Sequence, residues 1–266
     1  MLSVRGLVKS FKQRPVVQGV DLDVGPGEIV GLLGRNGAGK TTTFRMTMGM
    51  LRPDVGRIEF LGQDVTGWPM YRRARAGMGY LPQEHSVFRD LSVEENLLVV
   101  LERLDLSRAE RRRECEGLLA EYGLADKRRQ LAGSLSGGQQ RRLEIARALI
   151  TRPKLMLLDE PFAAVDPIMV GDIQATVFGL RERGISVFIT DHKETAILRT
   201  VDRVYLVHEG RVVVHGKPAE ILASEVAREV YLGRDFQLEL GPPRAEPGSP
   251  GTEPAAATPG PEGSAA

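Results

Sequence analysis

Cysteine is almost missing from this sequence: Cys115 is the only one among 266 residues. That excludes a disulfide framework within the chain and any cysteine-rich metal site, and it is compatible with a reducing compartment. Placed in the polar run Arg111–Glu116, the thiol reads as a solvated structural cysteine. Neither sign of charge is in excess, since 36 basic side chains stand against 35 acidic ones. Such a balance gives no reason to expect nucleic acid as a partner. Long apolar runs are lacking too. Ile29–Leu33 and Leu155–Leu158 have the length of buried strands and fall far short of a bilayer span. The N-terminal MLSVRGLVKSFKQRP contains no apolar core ending at a small-residue cleavage site, so no secretory signal is read there. Any work on a membrane would pass through a partner.

The chain does have an ordinary apolar content of 42%, enough for a sizeable core. The first thirty residues read as strands separated by turns, with alternation over Val16–Val24 and a turn at Pro26-Gly27. Glu28–Leu33 is a strand running directly into glycine-rich sequence, and Thr41–Met50 follows as a helix expected to end in the turn Pro53-Asp54 with Gly56. Val93–Arg129 reads as mostly helix, with Leu97, Leu98, Leu101, Leu104, Leu118 and Leu119 among charges. This makes a helical subdomain over about residues 92–133, and the run Arg111–Arg113 reads as a solvated helix face. Leu155–Leu158 and Ser186–Thr190 are further strands. Strands alternating with helices argue for an α/β core with a mainly parallel sheet. From Gly241 to Ala266 the sequence is Pro/Gly/Ala-rich, without aromatics or periodicity, and reads as a disordered tail beside one domain over residues 1–240.

Gly34-Arg35-Asn36-Gly37-Ala38-Gly39-Lys40-Thr41 matches G-x-x-x-x-G-K-[ST] in full, between a strand and a helix. The glycines let successive backbone N–H groups turn inward, and the positive end of the following helix favours polyanionic phosphate. Lys40 is expected to reach the β- and γ-phosphate oxygens, the Thr41 hydroxyl to ligate Mg²⁺, and Thr42 to add a hydroxyl nearby. Leu155–Asp159-Glu160-Pro161 is an apolar strand ending in two carboxylates. Asp159 is placed to hold Mg²⁺ or its bound water, and Glu160 to orient and deprotonate an attacking water.

With these motifs stands Leu135-Ser136-Gly137-Gly138-Gln139, which resembles the signature of ABC ATPases and precedes the acidic strand as it does there. Gln83 resembles the family's Q-loop glutamine, Asp166 its D-loop aspartate and His192 its switch histidine, while Phe11 occupies the position where an aromatic ring stacks on adenine. The motifs, in family order, cover Met1 to about Leu240. The resemblance implies a P-loop NTPase core of ABC type with N-terminal antiparallel strands and a helical subdomain, using ATP and Mg²⁺. It implies that Gln83 contacts Mg²⁺ or the water and that His192 donates to the γ-phosphate, with Asp191 supporting the loop. It further implies a head-to-tail pair with a second, identical ATPase subunit, in which the signature completes the opposite site. Transmembrane permease subunits would hold the pair at the cytoplasmic face of the inner membrane.

Several stretches resemble the ATPases of lipopolysaccharide export systems in particular: Gly34–Gly49, Gly79–Glu84, Phe88–Val93, Glu144–Leu149, Asp159–Ala163 and the terminal Val230–Phe236. By that resemblance Phe88 and Arg89 line the groove that receives a helix of the transmembrane subunit. Gln139 where those ATPases tend to be acidic, Lys193-Glu194-Thr195 after the histidine, and the tail all depart from them. The ATPase of a branched-chain amino acid importer and a non-transport ABC-type nucleotide switch are the alternatives.

Overall fold

Ile29–Leu33 offers no polar side chain, so a strand built from it must be covered on both faces, and all of β3 (Ile29–Leu33) is buried. The computed structural model describes residues 1–163 and 167–240. Around β3 lies a six-stranded sheet containing β6 (Met78–Leu81), β7 (Leu155–Asp159), β8 (Ser186–Thr190), β9 (Arg203–His208) and β10 (Arg211–Gly216), in the order β10-β9-β3-β8-β7-β6. All neighbours pair in parallel except β9 and β10. The N-terminal strands β1 (Leu2–Phe11), β2 (Arg14–Val24), β4 (Val55–Phe60) and β5 (Gln63–Asp64) form a second, antiparallel sheet in the order β2-β1-β4-β5.

The strand period of two divides the core. Val30, Leu32, Leu155, Leu157 and Phe188 point to one side and pack with the antiparallel sheet and with Phe44, Met46 and Met48 of α1 (Lys40–Met48). Ile29, Leu33, Met156, Leu158, Val187 and Ile189 point to the other. There they meet α3 (Val93–Leu101), α4 (Arg108–Glu121), α5 (Gly137–Leu149), α6 (Pro167–Glu182) and α7 (Glu194–Leu198), together with α8 (Pro218–Ala223) and the chain beyond it. α2 (Met70–Arg75) runs between β5 and β6. Helices α3, α4 and α5 each begin at a serine, Ser92, Ser107 and Ser136, with a reciprocal capping box.

Two expectations need correction. Cys115 is buried, not solvated: the helical period of α4 turns Cys115 and Leu119 inward together, while Arg112 and Arg113 face solvent. Burial pushes its thiol up to about 11. The helix after the glycine-rich loop stops at the left-handed residue Gly49, before Pro53-Asp54. Its last carbonyls, those of Met46 and Thr47, are taken by the guanidinium of Arg73, a fully buried side chain from α2. The stretch from Gly241 onward lies outside the described residues.

Candidate functional site

Parallel strands end at the same edge, and β3, β8, β7 and β6 deliver their following residues there, as open α/β sheets do for ligands. The glycine-rich loop leaves β3 with Arg35, Asn36 and Gly37 exposed at its crest. Gly39 stands at φ 101° with the Val16 carbonyl 2.7 Å from where a Cβ would sit, and at Gly34 a Cβ would collide with the Val207 carbonyl. Both positions exclude any other residue. From the turn between β9 and β10, Gly210 donates its N–H to the Ala38 carbonyl at 3.0 Å, so β2 and that turn brace the loop from behind. Lys40 is buried, and its Nζ donates to the carbonyls of Gly34 at 2.6 Å and Arg35 at 3.1 Å, inside the loop's concavity. Desolvation lowers its pKa, opposed by Glu160, Asp191 and Asp159. Thr41 and Thr42 are half-buried in the first turn of α1. That turn has no acidic residue and, in contrast to α3, α4 and α5, no side-chain cap, so its amides and dipole remain for an anion.

Asp159 ends β7, buried, with the Tyr80 hydroxyl 3.4 Å from its Oδ2. Desolvation raises its pKa, and the adjacent Glu160 raises it further. The Tyr80 phenol is pushed up to about 12 by its own burial and by Asp159. Glu160 follows at φ 44°, its N–H held by the Thr190 carbonyl at 2.7 Å. Gln83 Nε2 donates to Glu160 Oε2 at 3.0 Å, and His192 Nδ1 lies 3.3 Å from the same oxygen. Three residues distant in sequence thus meet at one carboxylate oxygen. Asp191 is fully buried beneath them and accepts the backbone N–H groups of Phe162, His192 and Lys193 at 2.8, 2.8 and 2.9 Å. Burial raises its pKa against the pull of those three donors.

Leu135 and Gly138 are buried, whereas Ser136 and Gly137 are exposed at the start of α5. Ser136 Oγ accepts from the Gln139 N–H at 3.4 Å, and the Gln139 side chain accepts from the Ser136 N–H at 3.0 Å. Gln139 therefore closes the capping box of this helix. Phe11 is 47% exposed at the end of β1, beside the hairpin whose Val16 braces Gly39. Phe88 is likewise 47% exposed, with the Arg147 guanidinium 4.8 Å from its ring centroid. The carbonyl of Arg89 accepts from the Gly133 N–H at 3.0 Å. Asp166 lies outside the described residues.

Sequence reasoning missed the residues that hold these loops. Asn96 is buried and exchanges hydrogen bonds with both the N–H and the carbonyl of Phe88. Arg141, Glu144 and Arg147 project from α5 onto the loop after Pro82. Their signal was present as ionisable residues at a spacing of three among Leu143, Ile145, Ala146 and Leu149, but nothing local says what such a row faces.

Comparison with known proteins agrees with this geometry. The family described as ABC transporter matches residues 17–163. A "Probable ABC transporter ATP-binding protein" of Azorhizobium caulinodans is 54% identical over 237 residues, covering 89% of this chain and 84% of that protein. The "Lipopolysaccharide export system ATP-binding protein LptB" of Escherichia coli (strain K12) is 50% identical over 238 residues, 89% of this chain and 99% of that one. Among solved structures, the ADP conformation of MJ1267, an ATP-binding cassette of an ABC transporter, superposes with a TM-score of 0.78 at 28% identity, covering 88% and 99% of the two chains. The chain belongs to the ABC transporter family as an ATP-binding, ATP-hydrolysing subunit with the cassette fold. No described helix is long and apolar enough to cross a membrane.

Proposed function

We propose that this chain drives lipopolysaccharide export, working as a pair of identical copies docked on transmembrane subunits at the cytoplasmic face of the inner membrane. The observation that supports the cargo is the reach of the likeness to the LptB protein of E. coli, which extends over 99% of that protein's length and so well beyond the nucleotide site. The exposed pair Phe88-Arg89, an aromatic beside a cation, suits a groove for a partner helix. A solved relative described as a dimeric post-hydrolysis state of the cassette MJ0796 bound to ADP and Pi, with a TM-score of 0.72 at 26% identity, supports the pairing.

In this reading ATP sits on the loop Gly34–Thr42 with its base on Phe11, and Lys40 reaches the β- and γ-phosphates. Because Gln83 and His192 both occupy Glu160 Oε2, the other oxygen is the one that takes the proton of the attacking water. With Nδ1 toward Glu160, His192 directs Nε2 to the γ-phosphate. The donors suit Mg²⁺: Thr41 hydroxyl, Asp159 carboxylate and Gln83 amide are all hard oxygens. Asp159 is buried beside a neutral phenol and makes no ion pair among the described residues, an anion in want of a cation. Mg²⁺, when bound, neutralises charge on the β- and γ-phosphate oxygens. Ser136 with the Gly137-Gly138 backbone completes the partner copy's site.

Lys40→Ala is expected to abolish ATP binding in a fluorescent-nucleotide titration, whereas Glu160→Gln retains binding and accumulates as an ATP-bound pair in sedimentation. Hydrolysis by Glu160→Gln at the parent rate would remove Glu160 as the base. For the cargo, affinity purification from native membranes should recover permeases with periplasmic lipid-binding domains. Recovery of an importer permease with a substrate-binding protein would overturn export.

A further inference from the structure

The part of the loop nearest Gln83 is gripped from α5. Arg141 Nη1 donates to the Pro82 carbonyl at 2.7 Å and to Glu144 Oε2 at 3.2 Å. Glu144 Oε1 accepts the Ser86 N–H and lies 3.4 Å from His85 Nδ1. The side chains of Arg141 and Glu144 are 6% and 0% exposed. A buried ion pair is rarely a net source of stability, because desolvating two charges consumes most of their attraction, whereas it does fix one register between the parts it joins. Here those parts are functional at both ends. One residue upstream of the grip at His85 and Ser86 is Glu84, and next to it Gln83 touches Glu160 at 3.0 Å. At the other end α5 begins with the exposed Ser136-Gly137, and His85 Nε2 is 3.6 Å from where a Cβ on Gly137 would stand.

We propose that Glu144, with Arg141 and His85, is a positioning residue for hydrolysis that locks Gln83 to the helix bearing Ser136-Gly137-Gly138. The inference rests on the paired-copies reading above. When the nucleotide of one copy engages the start of α5 in the other, the Arg141–Glu144 grip carries that engagement to Gln83 and sets Glu160 for its own ATP. The two sites then fire together, and the grip is where their coupling resides.

The test uses the full chain. ATP hydrolysis is measured against ATP concentration for the parent, Glu144→Gln and His85→Ala, alongside binding of a fluorescent ATP analogue and sedimentation in a Glu160→Gln background. Glu144→Gln is expected to lower kcat roughly 10- to 100-fold, the scale of a misplaced reacting group. Its Hill coefficient should fall to about 1, as expected when coupling between sites is lost, and analogue affinity should stay within about twofold because the Lys40 cradle is untouched. His85→Ala, which leaves the buried pair in place, should show the same pattern at smaller amplitude and carries the test alone if Glu144→Gln does not fold. Parent-like kcat and Hill coefficient in the variants overturn the proposal while ATP-dependent pairing persists. A kcat loss matched by an equal loss of analogue affinity also overturns it, since that marks general destabilisation. Absence of ATP-dependent pairing in Glu160→Gln itself overturns the paired reading and this inference with it.

Discussion

At φ 44° Glu160 occupies the left-handed region, which an L-residue with a full side chain enters at a cost of about 1–2 kcal/mol. The Thr190 carbonyl on its N–H and the two contacts on Oε2 hold it there, where its carboxylate faces the loop of Lys40. Glu160→Gly should therefore abolish hydrolysis and yet melt above Glu160→Gln, by about 0.5–1 kcal/mol once glycine's own entropy is counted, in a calorimetric comparison. Asp159 is a second residue kept at the expense of stability. Its folded pKa is raised, so the ionised form is penalised in the native state at neutral pH and relieved on protonation. Asp159→Asn is expected to exceed the parent in stability at neutral pH, because it removes the penalised charge. That margin should shrink as the pH falls through the raised pKa toward the ordinary value of 3.8, with urea unfolding at several pH values as the check.

Among the elements, α1 relies at both ends on groups beyond its own turns, with Gly49 capping its C-terminus from the adjoining chain. Its first turn is left open to an anion, and the carbonyls of Met46 and Thr47 are bound by Arg73, whose guanidinium also bonds the Trp68 and Thr66 carbonyls at 3.0 Å each. Burial pushes Arg73 down to about 10, so it stays charged at neutral pH and opposes the negative end of the helix. Arg73→Ala should cost roughly 3 kcal/mol, from lost charged hydrogen bonds and orphaned carbonyls. ATP affinity should fall with it because α1 carries the phosphate loop; thermal melting and nucleotide titration measure the two. None of this could be read from the chain, where Arg73 is one of three arginines over residues 72–75. The phosphate loop and the acid pair were legible because spacing alone dictates their geometry. Gln83 and His192 became legible only through family order, since a lone glutamine or histidine carries no local pattern. The Arg141–Glu144 grip stayed hidden for the same reason as Arg73: a buried cation is recognised by what it faces, and the Pro82 carbonyl for Arg141, like the Met46 and Thr47 carbonyls for Arg73, lies far away in sequence.

At the scale of the whole molecule, the parallel core was written in its apolar runs, and alternation within them decided which face each residue took. What that pattern could not disclose was the inner side of a charge-rich helix. α4 has few apolar residues, yet it turns Cys115 against the Glu94 carbonyl, 3.9 Å away, beneath the seam with α3. A thiol raised to about 11 is scarcely ionised at neutral pH, and the thiolate is the form that reacts with alkylating agents. The chain thus contains a built-in clock for separation of α3 from α4. A maleimide should modify the native protein slowly and once only, at the rate at which that seam opens, and far faster as urea is raised. Labelling followed by mass spectrometry would time the loosening of the helical layer on its own, without a dye, a tag or a second cysteine to confuse the count.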